Sequence, residues 1–189
     1  MCTVVALAAA AALLSVERAT YVVIARWPAW FRAVCAREPV ARLGNPVAIV
    51  ERLFYAFKLV QAGVFFAWWA AHGSLVPTAT PLGPRGLALV TIVLGQALNA
   101  AVFYRLGRVG AFFGDRLGYR TAWCEGFPFS VMAHPQYVGA VLTIWGLFLL
   151  MRFPDDDWFL IPTVETVLYG AGALLEGRPS RAAPRCAAT

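Results

Sequence analysis

QYVGAVLTIWGLFLLMRFPDDDWFLIPTVETVLYGAGALLE, residues 136–176, is the stretch that decides the fold. Two apolar arms, Gln136–Arg152 and Asp157–Glu176, flank Phe153-Pro154-Asp155-Asp156, where a proline and two acids make a tight polar turn. At 1.5 Å per residue the first arm reaches about 26 Å, just short of the roughly 30 Å of a bilayer's hydrocarbon. The pair therefore reads as a helical hairpin, spanning a membrane or nearly so. Working outward, Val4–Ala25, Pro46–Ala71 and Gly86–Leu106 are each long and apolar enough for a full crossing. A removable leader over Met1–Ser15 is the rival reading of the first. It is disfavoured because no basic segment precedes the apolar run and the helical pattern continues through Ile24. The expected fold class is all-α: a polytopic membrane helix bundle, four to five transmembrane helices, in one domain over residues 1–189.

Composition agrees. The chain is 60% hydrophobic and 14% charged, with mean hydropathy +0.66, whereas soluble domains run near 45–50% apolar and about 25% charged. Cys2, Cys35, Cys124 and Cys186 are scattered, which excludes a disulfide scaffold, and no metal-ligand spacing is present, so no metal is expected. A net charge of +6, with Lys58 the lone lysine, points in so apolar a chain to a membrane with a cationic face, not to nucleic acid.

The arginines orient the bundle. Arg26, Arg32, Arg37 and Arg42 lie between the first two spans; Arg108, Arg116 and Arg120 between the third and fourth; Arg178, Arg181 and Arg185 after the last arm. The opposite connections hold Arg85 and the Asp155–Asp157 cluster. With five crossings every basic segment falls on one face, which the positive-inside rule makes cytoplasmic. Glu51, Arg52 and Lys58 are expected at that interface, Glu51 and Arg52 pairing or snorkelling. Trp27, Trp30, Phe31 and Val34 recur at helical spacing behind Pro28, as in a helix lying in the headgroup region.

Chemistry is expected at the base of the hairpin. His134 stands at a helix N-terminus, where free N–H groups and the dipole gather polar ligands. Antiparallel arms return Glu176 to the same membrane face, so the two should lie near one another. The connecting segment Gly107–Pro135 is rich in glycine and aromatics, unlike a solvated loop, and reads either as an ordered cap or as a ligand site. Gly95, Gln96 and Asn99 share one face of the third span. That face should look into the bundle or a cavity, as helix–helix contact or ligand contact. No Walker loop, GxSxG or soluble dinucleotide-binding pattern occurs.

Three blocks carry a likeness: GQALNAAVFYRLGRVGAFFGDRLGY (Gly95–Tyr119), WCEGFPFSVMAHPQYVG (Trp123–Gly139) and the acid Glu176. Over roughly Gly86–Glu176 the chain resembles the phosphatidylethanolamine/phospholipid N-methyltransferases, most closely the short plant-type enzymes. The wider superfamily, with isoprenylcysteine carboxyl methyltransferase, shares the HPxYxG element. The resemblance implies a membrane enzyme that uses S-adenosyl-L-methionine to methylate phosphatidyl-N-methylethanolamine and dimethylethanolamine to phosphatidylcholine. It implies a cofactor-binding region near 86–178 and a phospholipid substrate, with no obligate protein partner. It also implies an endoplasmic reticulum membrane in a eukaryote or the inner membrane in a bacterium, with the site facing the cytosol. His134, Pro135, Tyr137 and Gly139 would line the cofactor pocket, with Gly95, Asn99 and Glu176 completing it. Position 177 is Gly177 where the family has a second Glu, and Val93-Leu94-Gly95-Gln96 lacks a full GxG. His134 or Glu125 is the candidate proton acceptor. Tyr119, Trp123, Phe127 and Phe129 are the candidate ring faces for a methylated ammonium. Two other readings are a same-superfamily enzyme with a carboxylate or thiol acceptor, and a small transporter or helper subunit. In the transporter, Glu17, Arg18, Glu51 and Lys58 would form a polar path.

Overall fold

A computed structural model describes residues 2–73, 80–121 and 126–176. Six helices follow one another: α1 (Cys2–Arg26), α2 (Pro28–Cys35), α3 (Pro46–His72), α4 (Leu82–Ala111), α5 (Pro135–Arg152) and α6 (Leu160–Glu176), with a short 3-10 turn at Val40–Leu43. Among the described residues there is no strand. Three helices, Thr3–Arg26, Pro46–His72 and Leu82–Ala111, are long and apolar enough to cross a membrane. The hairpin arms α5 and α6, of 18 and 17 residues, reach about 26 Å each and stand beside them.

Local chemistry places the ends. Asn45 caps α3 by accepting from the Ala48 N–H at 2.9 Å, with Pro46 in the first turn. The third span runs longer than its expected Gly86–Leu106, but a break marks the expected stop: Gly107 takes φ 61°, ψ −176° inside α4. A side chain would strain that left-handed backbone.

The hairpin turn is held by Arg152, which is 2% exposed. Its guanidinium donates to Asp157 at 2.6 Å and to the His72 carbonyl at 2.7 Å, and pairs with Asp155 at 3.1 Å. Trp68 Nε1 donates to the same Asp157 at 2.7 Å. The arginine at the end of the first arm is thus neutralised locally, consistent with a net acidic face there.

The extensive helix contacts run in an arc, α3–α1–α6–α5–α4. One apolar cluster, with Phe65, Trp69, Ile144, Phe148 and Ile161, fills the Asp157 end. The other, with Tyr21, Ile24, Phe31, Val50, Phe112 and Leu117, fills the His134 end. Phe112 and Leu117 belong to the glycine-rich segment, so its start is an ordered cap over the bundle.

Two expectations need correction. The aromatics of α2 do not share a face: Phe31 and Cys35 are buried in the bundle, whereas Trp27 and Trp30 are exposed. An interfacial helix against protein has one face for the core and another for the headgroup region, and tryptophan suits the latter. Glu51 and Arg52 do not pair with each other. Arg108 Nε donates to Glu51 at 2.6 Å, while Arg52 Nη1 donates to the Leu43 carbonyl.

Candidate functional site

A cavity of about 490 Å³ lies inside the arc, lined from all five long helices and the glycine-rich segment. Its His134 end is built by securing the last turn of α6. Arg26 Nε donates to the Leu175 carbonyl at 2.8 Å. Arg116 donates to the Glu176 carbonyl at 3.0 Å and to the Ala25 carbonyl at 3.1 Å. Two guanidinium groups thereby satisfy carbonyls that a helix end leaves open, where the dipole favours cations.

That anchoring presents the Glu176 carboxylate to the cavity. The Tyr137 hydroxyl sits between its two oxygens, at 2.5 and 2.6 Å. His134 forms the N-cap of α5, its carbonyl accepting from Tyr137 N and Val138 N at 3.1 and 3.2 Å. Its ring stacks on Tyr137, centroids 5.6 Å apart at 17°. Burial holds the His134 imidazole below its usual range, because a charged ring would lose solvation. His134, Pro135, Tyr137, Glu176, Asn99 and Phe129 all line the cavity. His134 and Glu176 do share the base of the hairpin, joined through Tyr137.

The other expected residues divide. Gly95 and Gly139 meet at the α4–α5 crossing: a Cβ on Gly95 would stand 2.5 Å from the Gly139 carbonyl oxygen, and one on Gly139 2.7 Å from Asn99 Oδ1. They let two backbones touch, as small residues do between membrane helices. Gln96 completes the contact, donating to Thr143 Oγ1 at 3.0 Å. Tyr119 and Phe127 are exposed and off the cavity wall. Trp123 and Glu125 lie outside the described residues.

Deeper in stands a polar cluster that takes in Lys58, which the sequence reading placed at the interface. Arg18 pairs with Glu17 at 2.5 Å, and its guanidinium lies 4.0 Å above the Tyr169 ring, with Tyr21 and Tyr137 at 5.1 and 5.3 Å. Lys58 Nζ is 3.2 Å from Glu17 and donates to Gln61 Oε1 at 3.0 Å and Tyr169 Oη at 3.1 Å. Gln61 Nε2 in turn donates to the buried Glu165. The available signal was the charges themselves: ionisable residues inside apolar spans face a cavity or one another. Glu51, paired with Arg108, is no part of this cluster, so the four-residue polar path of the transporter reading is not assembled.

Residues 85–178 match the phospholipid methyltransferase family. The phosphatidyl-N-methylethanolamine N-methyltransferase of Arabidopsis thaliana is 40% identical over 118 residues, 62% of this chain and 66% of that protein. The protein of the same name from Saccharomyces cerevisiae is 35% identical over 69 residues, 36% of this chain and 34% of that protein. The one from Schizosaccharomyces pombe is 36% identical over 59 residues, 31% and 30% of the two chains. The match thus spans just under two thirds of the plant relative and about a third of the yeast ones. No solved structure matches the chain. Through residues 85–178 the chain belongs to the phospholipid methyltransferase family.

Proposed function

We propose that this chain is an S-adenosyl-L-methionine-dependent N-methyltransferase acting on phospholipid amines, with monomethyl- and dimethyl-phosphatidylethanolamine as its preferred acceptors. The observation that carries the reading is the Tyr137–Glu176 pair at one end of a cavity that runs on between apolar helices. A water-soluble donor and a lipid acceptor need such a shared space. The proposed orientation puts the His134 end at the cytosol, where the donor is made.

The residues fit the donor. Glu176 accepts from an ammonium group or from ribose hydroxyls. Asn99 Oδ1 is buried without a hydrogen-bond partner, leaving an acceptor for a further N–H or O–H. A cavity of about 490 Å³ falls within the size range of small-molecule sites. When bound, S-adenosyl-L-methionine supplies an electrophilic sulfonium methyl. Tyr137 holds the Glu176 carboxylate in one orientation, and Arg116 and Arg26 hold the helix end that carries it. His134, kept neutral by burial, has a ring nitrogen free of a proton and takes the one the amine must shed before it attacks. Most of the acceleration then comes from alignment, which can lower a barrier by roughly 7–11 kcal/mol.

The test is incubation of the purified protein with methyl-labelled S-adenosyl-L-methionine and vesicles of phosphatidylethanolamine or its mono- or dimethyl form. Label is expected in the lipid product, with higher kcat/KM for the two methylated acceptors. Label in no lipid overturns the function, and a higher kcat/KM for the unmethylated lipid overturns the substrate preference.

A further inference from the structure

Helices α3 and α4 are the two ends of the α3–α1–α6–α5–α4 arc, and among the described residues no extensive backbone packing joins them. Both nonetheless line the cavity, α3 with Phe54, Lys58 and Gln61 and α4 with Asn99 and Phe103. Side chains span the seam at its His134 end: the Glu51–Arg108 ion pair, and Phe54 against Phe103 with centroids 6.4 Å apart. At the Asp157 end α3 turns instead to α5, through Phe65 on Phe148 at 5.1 Å. Between these two closures no extensive packing joins α3 to α4 among the described residues.

Lys58 stands beside that stretch, seven residues after Glu51, or about 10 Å further along α3. Its side chain is 30% exposed, against 5% for its partner Glu17. Glu17 is already matched by Arg18 at 2.5 Å, so the three groups carry one positive charge in excess, and Lys58 is the member that shows it. The next acid, Glu165, shares the Gln61 amide with Lys58 and also acts on it through space, without a direct hydrogen bond between the two. The remaining partners of Nζ, Gln61 Oε1 and Tyr169 Oη, are neutral acceptors that an anion outcompetes. An ammonium at membrane depth calls for an anion.

We propose that the α3–α4 seam is the lipid's lateral entrance from the bilayer and that Lys58 binds the phosphodiester of the substrate phospholipid. The inference rests on the function proposed above and assigns the acceptor's binding site within it. The geometry orients the headgroup. Lys58 touches Tyr169, whose ring centroid is 5.3 Å from that of Tyr137, which bonds Glu176. A phosphate held at Lys58 leaves the headgroup amine directed towards Tyr137 and His134. The donor's carboxylate is the other anion in the system, so the experiment must tell the two apart.

The full chain is compared with Lys58→Gln and Lys58→Arg. The readouts are KM for monomethyl-phosphatidylethanolamine, Kd for S-adenosyl-L-methionine, and KM for a two-chain secondary amine lacking the phosphodiester. The proposal expects Lys58→Gln to raise the phospholipid KM about 10- to 100-fold. The donor Kd and the KM of the phosphate-free amine should stay at wild-type values, and Lys58→Arg should recover most of the loss. An unchanged phospholipid KM overturns it, as does a donor Kd that moves instead. Should Lys58→Gln fail to fold, wild type alone decides: equal KM for the two acceptors overturns the proposal and a higher one for the phosphate-free amine supports it. Methyl transfer to neither acceptor by wild type refutes the function itself. Native mass spectrometry then still tests the site, since the protein should retain phosphatidylethanolamine in preference to diacylglycerol, and equal retention overturns it.

Discussion

Changing Tyr137 to Phe removes one oxygen atom and strips Glu176 of the hydroxyl that sits 2.5 and 2.6 Å from its two carboxylate oxygens. Glu176 is 9% exposed, so water does not easily replace the lost donor. A hydrogen bond to a charged group is worth about 1.5–3 kcal/mol, a factor of roughly 10 to 150 in Kd. If Glu176 contacts the methyl donor, Glu176→Gln should weaken donor binding by an amount in that range while preserving shape. Tyr137→Phe should weaken it by about 10-fold, because the carboxylate survives but loses its fixed orientation.

The double variant decides whether Tyr137 works through Glu176. Where two groups act as one unit their effects do not add. Tyr137→Phe with Glu176→Gln should therefore bind the donor no more weakly than Glu176→Gln alone. The assay is calorimetric titration of S-adenosyl-L-methionine into detergent-solubilised protein, with thermal melting to confirm that each variant folds. Full additivity would show that Tyr137 meets the ligand independently. Wild-type Kd in folded Glu176→Gln would falsify the placement of this acid in the donor site.

Three further outcomes follow from the packing and the charges. Gly95→Ala puts a methyl 2.5 Å from both the Gly139 carbonyl oxygen and Thr143 Oγ1; it should cost about 1–3 kcal/mol and lower Tm. Gly63→Ala, with nothing within 4 Å, should not lower it. Arg152→Ala leaves the half-buried Asp157 beside Trp68 without its cation and should destabilise by about 1–3 kcal/mol; Asp157→Asn in the same chain should recover part of that Tm loss. His134 has its folded-state pKa lowered by burial, so the folded protein resists the proton that the unfolded chain accepts near about pH 6.5. Stability present above that pH is lost as pH falls through it, and wild-type Tm should drop more between pH 7 and pH 5 than that of His134→Gln.

How far the sequence could be read depends on which interactions are local. The hairpin turn was legible because Pro154, Asp155 and Asp156 punctuate it within a few residues. The break at Gly107 was legible because a glycine after a long apolar run tends to end a helix. The meeting of His134 with Glu176 followed from antiparallel arms alone, needing no side-chain detail. The sidedness of α2 was not legible: tryptophan and phenylalanine are equally apolar by pattern, and only the bundle decides which is covered. The burial of Arg152, which the sequence shows only as the last residue of the first arm, was not legible either, since it depends on Asp157 folding back across the turn to meet it.

The polar cluster marks the limit most clearly. Glu17, Lys58, Gln61, Glu165 and Tyr169 come from three helices far apart in sequence, and each alone is an unremarkable polar residue near the middle or end of a span. Their meeting depends on the rotation of α1, α3 and α6 about their own axes, which hydropathy does not encode when all faces are apolar. What the sequence does carry is the expense of the alternative: charge turned to hydrocarbon is disfavoured by several kcal/mol. Placing Lys58, Glu17 and Arg18 on one side of their helices therefore helps to select those rotations. The same constraint leaves Lys58 at the rim of the cluster, its side chain 30% exposed against 5% for Glu17 and 7% for Arg18. The interactions that orient the helices thus also set the ammonium to which the proposal assigns the lipid phosphate.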